Sequence, residues 1–306
     1  MRLLFPCAIL MALLASTGCT HFGTKGIVVD SEFKPFIPQN TKVLMGVKID
    51  KLLESPLYQD HKDALDLPQI DAFSERTGFD LKRDFSSVLG GWNGIRWFAM
   101  GRGQFNQTQW ETKLASLGAH PREFKSYRLF GDENNSLVFV RKGFVLAGAT
   151  SAIEELIVTH QKNETGIPAE LEQQLQTIPG TDQIWIVSRD GLPFANIPMR
   201  SEISSALSNI VGYVSRTAIG VGVDSGLHLR ADLTCISDPG AQRVRDALRG
   251  GIGLARLTTR DDQLDLLRLY DAIHVDQDKT IIHVRGDFDA ELTNKLLASI
   301  SHVKAQ

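Results

Sequence analysis

Twice in this chain, about 130 residues apart, an apolar alternating run passes through a Gly-containing corner into a helix-period pattern. Residues 95–118 read IRWFAMGRGQFNQTQWETKLASLG, and residues 227–250 read LHLRADLTCISDPGAQRVRDALRG. Alternation with period two makes a strand with one buried face, and apolar residues three and four apart make a helix with one buried stripe. The segments ahead of these corners match as well. Leu44–Val47 followed by Asp50 is answered by Ile184–Val187 followed by Asp190 at an offset of about 140, and a hairpin at Asn93-Gly94 by one at Asp224-Ser225-Gly226. Matched offsets in one chain order predict an internal duplication. A chain of 306 residues has room for two such units, each able to bury a core.

Hairpins outnumber strand–helix–strand alternations, so the expected class is α+β: two similar units, each an antiparallel sheet with helices packed on one face. The first unit is expected over residues 41–166 and the second over 167–306. Ser55-Pro56 marks a helix start, and a second helix is expected at Pro68–Thr77, closed by Gly78. Asn-Gly predicts a tight two-residue turn, because both of its central positions need positive φ. Gln107–Leu117 places Trp110, Leu114 and Leu117 on one face. Ser151–Glu154 has the spacing of a capping box, and the last helix is expected from Ala290.

The first 18 residues differ from the rest. Arg2 precedes the apolar run LLFPCAILMALLA, which is too short to span a bilayer comfortably and reads as a signal peptide. Ala15-Ser16-Thr17-Gly18-Cys19 resembles the lipobox of bacterial lipoproteins, in which cleavage precedes a cysteine that then carries a diacylglycerol. Cys19 is therefore the expected lipidation site, palmitate one expected acyl group, and residues 19–40, with two glycines and two prolines, the expected lipidated tether. Thr20 and His21 are not the Asp associated with inner-membrane retention. The expected place is the cell envelope: the outer membrane, facing the periplasm, where the cell has two membranes. Without Arg2, 32 of the 33 basic residues remain against 36 acidic ones, so nucleic acid is a poor partner. Of three cysteines only Cys235 is left in the body, as a small buried hydrophobe.

Motifs that carry chemistry are missing from the sequence. It holds no HExxH, GxSxG, Walker loop or CxxC, and Gly251-Ile252-Gly253 follows a helix where a dinucleotide loop follows a strand. His274 and His283 lie near Asp276, Asp278, Asp287 and Asp289, but turn and cap roles account for the carboxylates, so no metal and no cofactor is expected. Trp92, Trp97 and Phe105 are the candidate binding residues, as an aromatic ledge for a glycan or an envelope protein.

Val43–Tyr58, Glu75–Asp84, Arg245–Gly250 and Leu266–Asp271 resemble segments of an uncharacterised family of secreted bacterial envelope proteins of acidobacterial type. The resemblance runs along the mature chain and implies location and shape, with no catalytic residue to carry over. The sequence thus predicts a lipid-anchored cell-envelope protein, held to the membrane through its N-terminal lipid, that acts as a non-catalytic binding or assembly component. The alternative is a periplasmic enzyme, such as a hydrolase, with its site between the two units.

Overall fold

The computed structural model describes residues 25–62, 74, 79–193 and 210–304. The signal peptide, Cys19 and the helix expected at Pro68–Thr77 lie outside these residues. Strand β1 (Val43–Lys48) leads into short helices α1 (Ile49–Glu54) and α2 (Pro56–Asp60), then α3 (Leu81–Asp84). Strands β2 (Phe85–Trp92) and β3 (Trp97–Gly103) follow, then α4 (Gln107–Ser116), β4 (Pro121–Phe124), β5 (Tyr127–Gly131), β6 (Asn135–Arg141), β7 (Phe144–Ala149) and α5 (Thr150–Gln161). The second half contains α6 (Ala169–Leu175), β8 (Ile184–Ser188), β9 (Val214–Val223), β10 (Leu227–Cys235), α7 (Asp238–Thr258), α8 (Leu264–Asp271), β11 (Ile273–Asp278), β12 (Ile281–Phe288) and α9 (Ala290–Lys304).

All these strands join one 12-stranded antiparallel sheet in the order β11-β12-β10-β9-β8-β1-β2-β3-β7-β6-β5-β4. Reading outward from the middle, the halves share one order: β1-β2-β3-β7-β6 on one side and β8-β9-β10-β12-β11 on the other. The first half adds β5 and β4 where the second has α8. The halves are not separate sheets, because β1 pairs with β8 from Val43↔Ser188 to Val47↔Ile184. Leu44, Val47, Ile184 and Val187 carry no charge that would blunt an edge, and pairing them satisfies two rows of backbone groups at once.

The strand register divides the sheet into two faces. On the front, Leu44, Leu89, Phe98, Met100, Val138, Leu146 and Val187 form the largest core with Ile153, Leu156 and Ile157 of α5 and Leu171 and Leu175 of α6. On the back, Phe85 and Val145 pack with Trp110 of α4 in the first half, and Leu233, Val275 and Ile282 pack with Val244 of α7 in the second. Trp97 and Leu229 both point to this back face, the same face in corresponding strands. In the first half, therefore, helices lie on both faces of the sheet, α5 in front and α4 behind. The C-terminal helix α9 packs against α8, unlike α5, which lies on β6 and β7.

Residues 25–40, expected as tether, are instead built into the fold as a strap across the front face. Gly26 bridges to Pro179 and Pro38 to Thr165, and Ile27, Val29, Phe33, Phe36 and Ile37 are buried in the front core. Five large apolar side chains in this stretch offset the entropy of ordering it. Two local expectations also change. The β2–β3 turn is a four-residue one: Gly94 alone has φ of +101°, and the Asn93 side chain accepts from the amides of Ile95 (3.0 Å) and Arg96 (2.9 Å). Helix α5 starts at Thr150 with no capping box; Glu154 reaches Arg122 at 2.6 Å instead. Ser55 caps α2, as Ser-Pro predicts, by accepting from Tyr58 N at 3.3 Å.

Candidate functional site

The two ends of the sheet differ in what they offer. At one end β1 begins, β2 ends and β3 starts, so Trp92 and Trp97 stand side by side as a cross-strand pair on the back face. Trp97 is 50% exposed, and Ile95 at the turn tip is 85% exposed. Met45 projects from the same face of β1 and is exposed too. The Asn93 side chain closes the turn and holds Ile95 outward. Cations flank it: Lys42 pairs with Asp190 at 2.8 Å, and Arg96 lies 3.8 Å from Glu155. An aromatic pair with an aliphatic tip and a charged rim has the composition of a protein-binding patch.

Phe105, the third residue expected on this ledge, is elsewhere. It stacks on Trp110 with ring centroids 4.5 Å apart and lies 5.7 Å from Phe85 and 5.9 Å from Phe139, within the back core. Phe105 follows the end of β3, where strand alternation no longer says which way a side chain points. Trp110 is buried at the centre of this cluster, also stacked on Phe79 at 3.7 Å.

At the other end of the sheet, the strap and the seam between the halves enclose a groove of about 370 Å³. Lys48, Ser87 and Arg102 lie in register across its floor on adjacent strands, with the Trp185 ring beside them. These groups hold the fold together. Lys48 Nζ donates to Gly180 O (2.5 Å) and Asp182 O (3.1 Å), Arg102 pairs with Asp30, and Ser86 Oγ donates to Arg102 O (3.1 Å). Burial pushes the Lys48 ammonium below its ordinary range, against the pull of Asp182 and Asp50. Asp182 is 1% exposed, and burial raises its carboxyl although Arg230 is 3.0 Å away. Among the described residues its second oxygen has no hydrogen-bond partner, and it sits against Gly220, where a Cβ would lie only 2.3 Å from it. The halves meet through the β1–β8 strand ladder, and this groove lies beside it.

Among the described residues no helix covers the front face of β10, β12 and β11, and that face is polar. His228 Nδ1 pairs with Asp287 at 2.7 Å and its Nε2 with Asp224 at 3.2 Å; His283 and Arg285 both meet Asp232 at 2.7 Å. Asp287, together with Asp224, holds the His228 imidazole above its ordinary value. His274 contacts Ala272 O instead of His283. Among the described residues no group of three His, Cys, Asp or Glu side chains is placed to hold a metal ion. Cys235 is free and buried, and burial raises its thiol.

No family model and no curated protein matches the chain. Among solved structures the chain is similar to crystal forms of TP0453. Form III has a TM-score of 0.52 at 9% identity, over 89% of this chain and 99% of that one. Form IV has 0.50 at 9%, over 88% and 96%. Identity this low shows a shared fold and nothing further. No helix among the described residues is long and apolar enough to cross a membrane.

Proposed function

We propose that this is a lipid-anchored protein of the bacterial cell envelope, held at Cys19, that binds another envelope protein through the β2–β3 hairpin and performs no chemistry of its own. One observation carries the reading: Trp92, Trp97 and Ile95 are exposed together at the end of the sheet opposite the one where the chain enters the fold. Large aromatic side chains left in water at the tip of an ordered turn mark an interaction surface. The N-terminal signal and the lipobox-like residues before Cys19 support the envelope location.

The test is a photo-crosslinking residue at Ile95 in the native cell, compared with one at Arg245 on α7. The reading expects one discrete crosslinked protein at position 95, lost when Trp92 and Trp97 are both changed to Ala, and none at 245. A crosslink at 95 that survives the double change, or crosslinks at 245 alone, would overturn it. If cell-wall glycan fragments crosslink and no protein does, the ledge is a glycan site.

A further inference from the structure

A second exposed apolar cluster lies at the tether end of the sheet. Lys25 meets Gly180, which also accepts from Lys48 at the end of β1, so the strap starts where β1 stops and β8 begins. Helix α7 starts beside the end of β10, at the hairpin end, and runs 21 residues, roughly 31 Å, back along the sheet. Its far end is fixed by Arg256, whose Nε donates to Asp271 at 2.7 Å, two residues before β11 begins at the tether end. Leu254 and Leu257 flank Arg256, and Leu264 is the first residue of α8, just past the turn that follows α7. They are 64%, 84% and 65% exposed. At this end of α7, Gly250, Gly251 and Gly253 have open space around their Cα atoms.

We propose that the α7–α8 turn, through Leu254, Leu257 and Leu264, is a second membrane contact that sets the tether end of the sheet against the bilayer and points the Trp92–Trp97 hairpin away from it. The occupant follows from the length of the chain. Six Cα–Cα steps lead from Cys19 to Lys25, a reach of at most about 22 Å. The strands over which α7 lies, β10, β12 and β11, are two to four strand spacings from β8, roughly 10–19 Å, which is still within that reach. An acyl anchor at Cys19 therefore keeps the leucines close to the lipid surface. Basic and acidic residues are balanced in 238–271 and Arg245, Arg249, Arg256, Arg260 and Arg268 are ion-paired, so the contact is apolar and does not depend on anionic lipid. This inference rests on the lipid anchor proposed above.

The test uses the full acylated chain in phosphatidylethanolamine–phosphatidylglycerol vesicles doped with a headgroup nitroxide lipid. Leu257→Cys and Ile95→Cys each take a fluorophore; acylated Cys19 and buried Cys235 stay unlabelled, which unsubstituted protein verifies. Both sites are exposed, so folding is preserved. The label at 257 should be quenched several-fold more than the label at 95, equally without phosphatidylglycerol. Equal or reversed quenching in acylated protein overturns the inference and leaves the anchor standing. Protein without acyl groups that is still quenched at 257 on added vesicles supports the contact and overturns the anchor. Absence of both acylation and quenching overturns both.

Discussion

Gly46→Ala tests the seam that makes one sheet of two halves. Gly46 on β1 lies opposite Trp185 on β8, and an added Cβ would stand 2.3, 2.4 and 2.7 Å from the Cζ2, Cε2 and Nε1 atoms of the indole. Non-bonded carbons rest at about 3.5–4.0 Å, so the ring must retreat by more than about 1 Å or the strands must part. Trp185 is buried in the front core, and its ring can yield only toward the groove that it lines. Overpacking costs about 1–3 kcal/mol, and a rigid ring belongs at the upper end, near 3. Trp185→Leu alone leaves a cavity and also destabilises, by about 2–4 kcal/mol. In the double variant the methyl fills part of that space, so the combined loss should fall short of the sum by about 1–2 kcal/mol. Urea unfolding followed by far-ultraviolet circular dichroism measures all three. A Gly46→Ala change within about 0.5 kcal/mol of the parent, or strictly additive losses, would refute the packing described at the seam.

Trp110→Ala should cost about 3–5 kcal/mol through loss of the Phe79, Phe85, Phe105 and Phe139 contacts, whereas Trp97→Ala should stay within about 1 kcal/mol; thermal and urea unfolding compare them. His228 has a folded pKa raised above 6.5 by Asp287 and Asp224, so its contribution is full below 6.5 and is lost as pH rises through the folded value. His228→Gln should accordingly destabilise more at about pH 6 than at about pH 9, and an equal loss at both would refute the pairing. Because β1 and β8 are hydrogen-bonded, both halves should unfold in one transition, which calorimetry can separate from two.

Much of the architecture was legible because its signals are local. The alternation of Leu227, His228, Leu229, Arg230, Ala231, Asp232 and Leu233 announces a strand with one polar face, and that is the face on which no described helix lies. The β2–β3 and β9–β10 pairs were legible from their turns, whereas the β3–β7 and β10–β12 neighbours, joined through intervening helices, were not. The choice of partner for β1 was not legible, since periodicity says that a strand has a buried face and not which strand lies beside it. The strap was missed because Ile27, Val29, Phe33, Phe36 and Ile37 follow neither period and are interrupted by Pro35. The β4–β5 hairpin turns at Lys125 with φ of 56°, without the glycine that marks such a corner. Of the aromatic residues, strand alternation alone reads Trp92 and Trp97 as readily as core, and they stand exposed as a cross-strand pair; Phe105 lies past the end of its strand and joins the core.

Labelled palmitate in the native cell tests the proposed anchor at Cys19 most directly. The wild-type chain should take up the label and fractionate with membranes, and Cys19→Ser should abolish incorporation while the hairpin and sheet stay folded. A Cys19→Ser chain that still carries label, or a wild-type chain that never does, would contradict it.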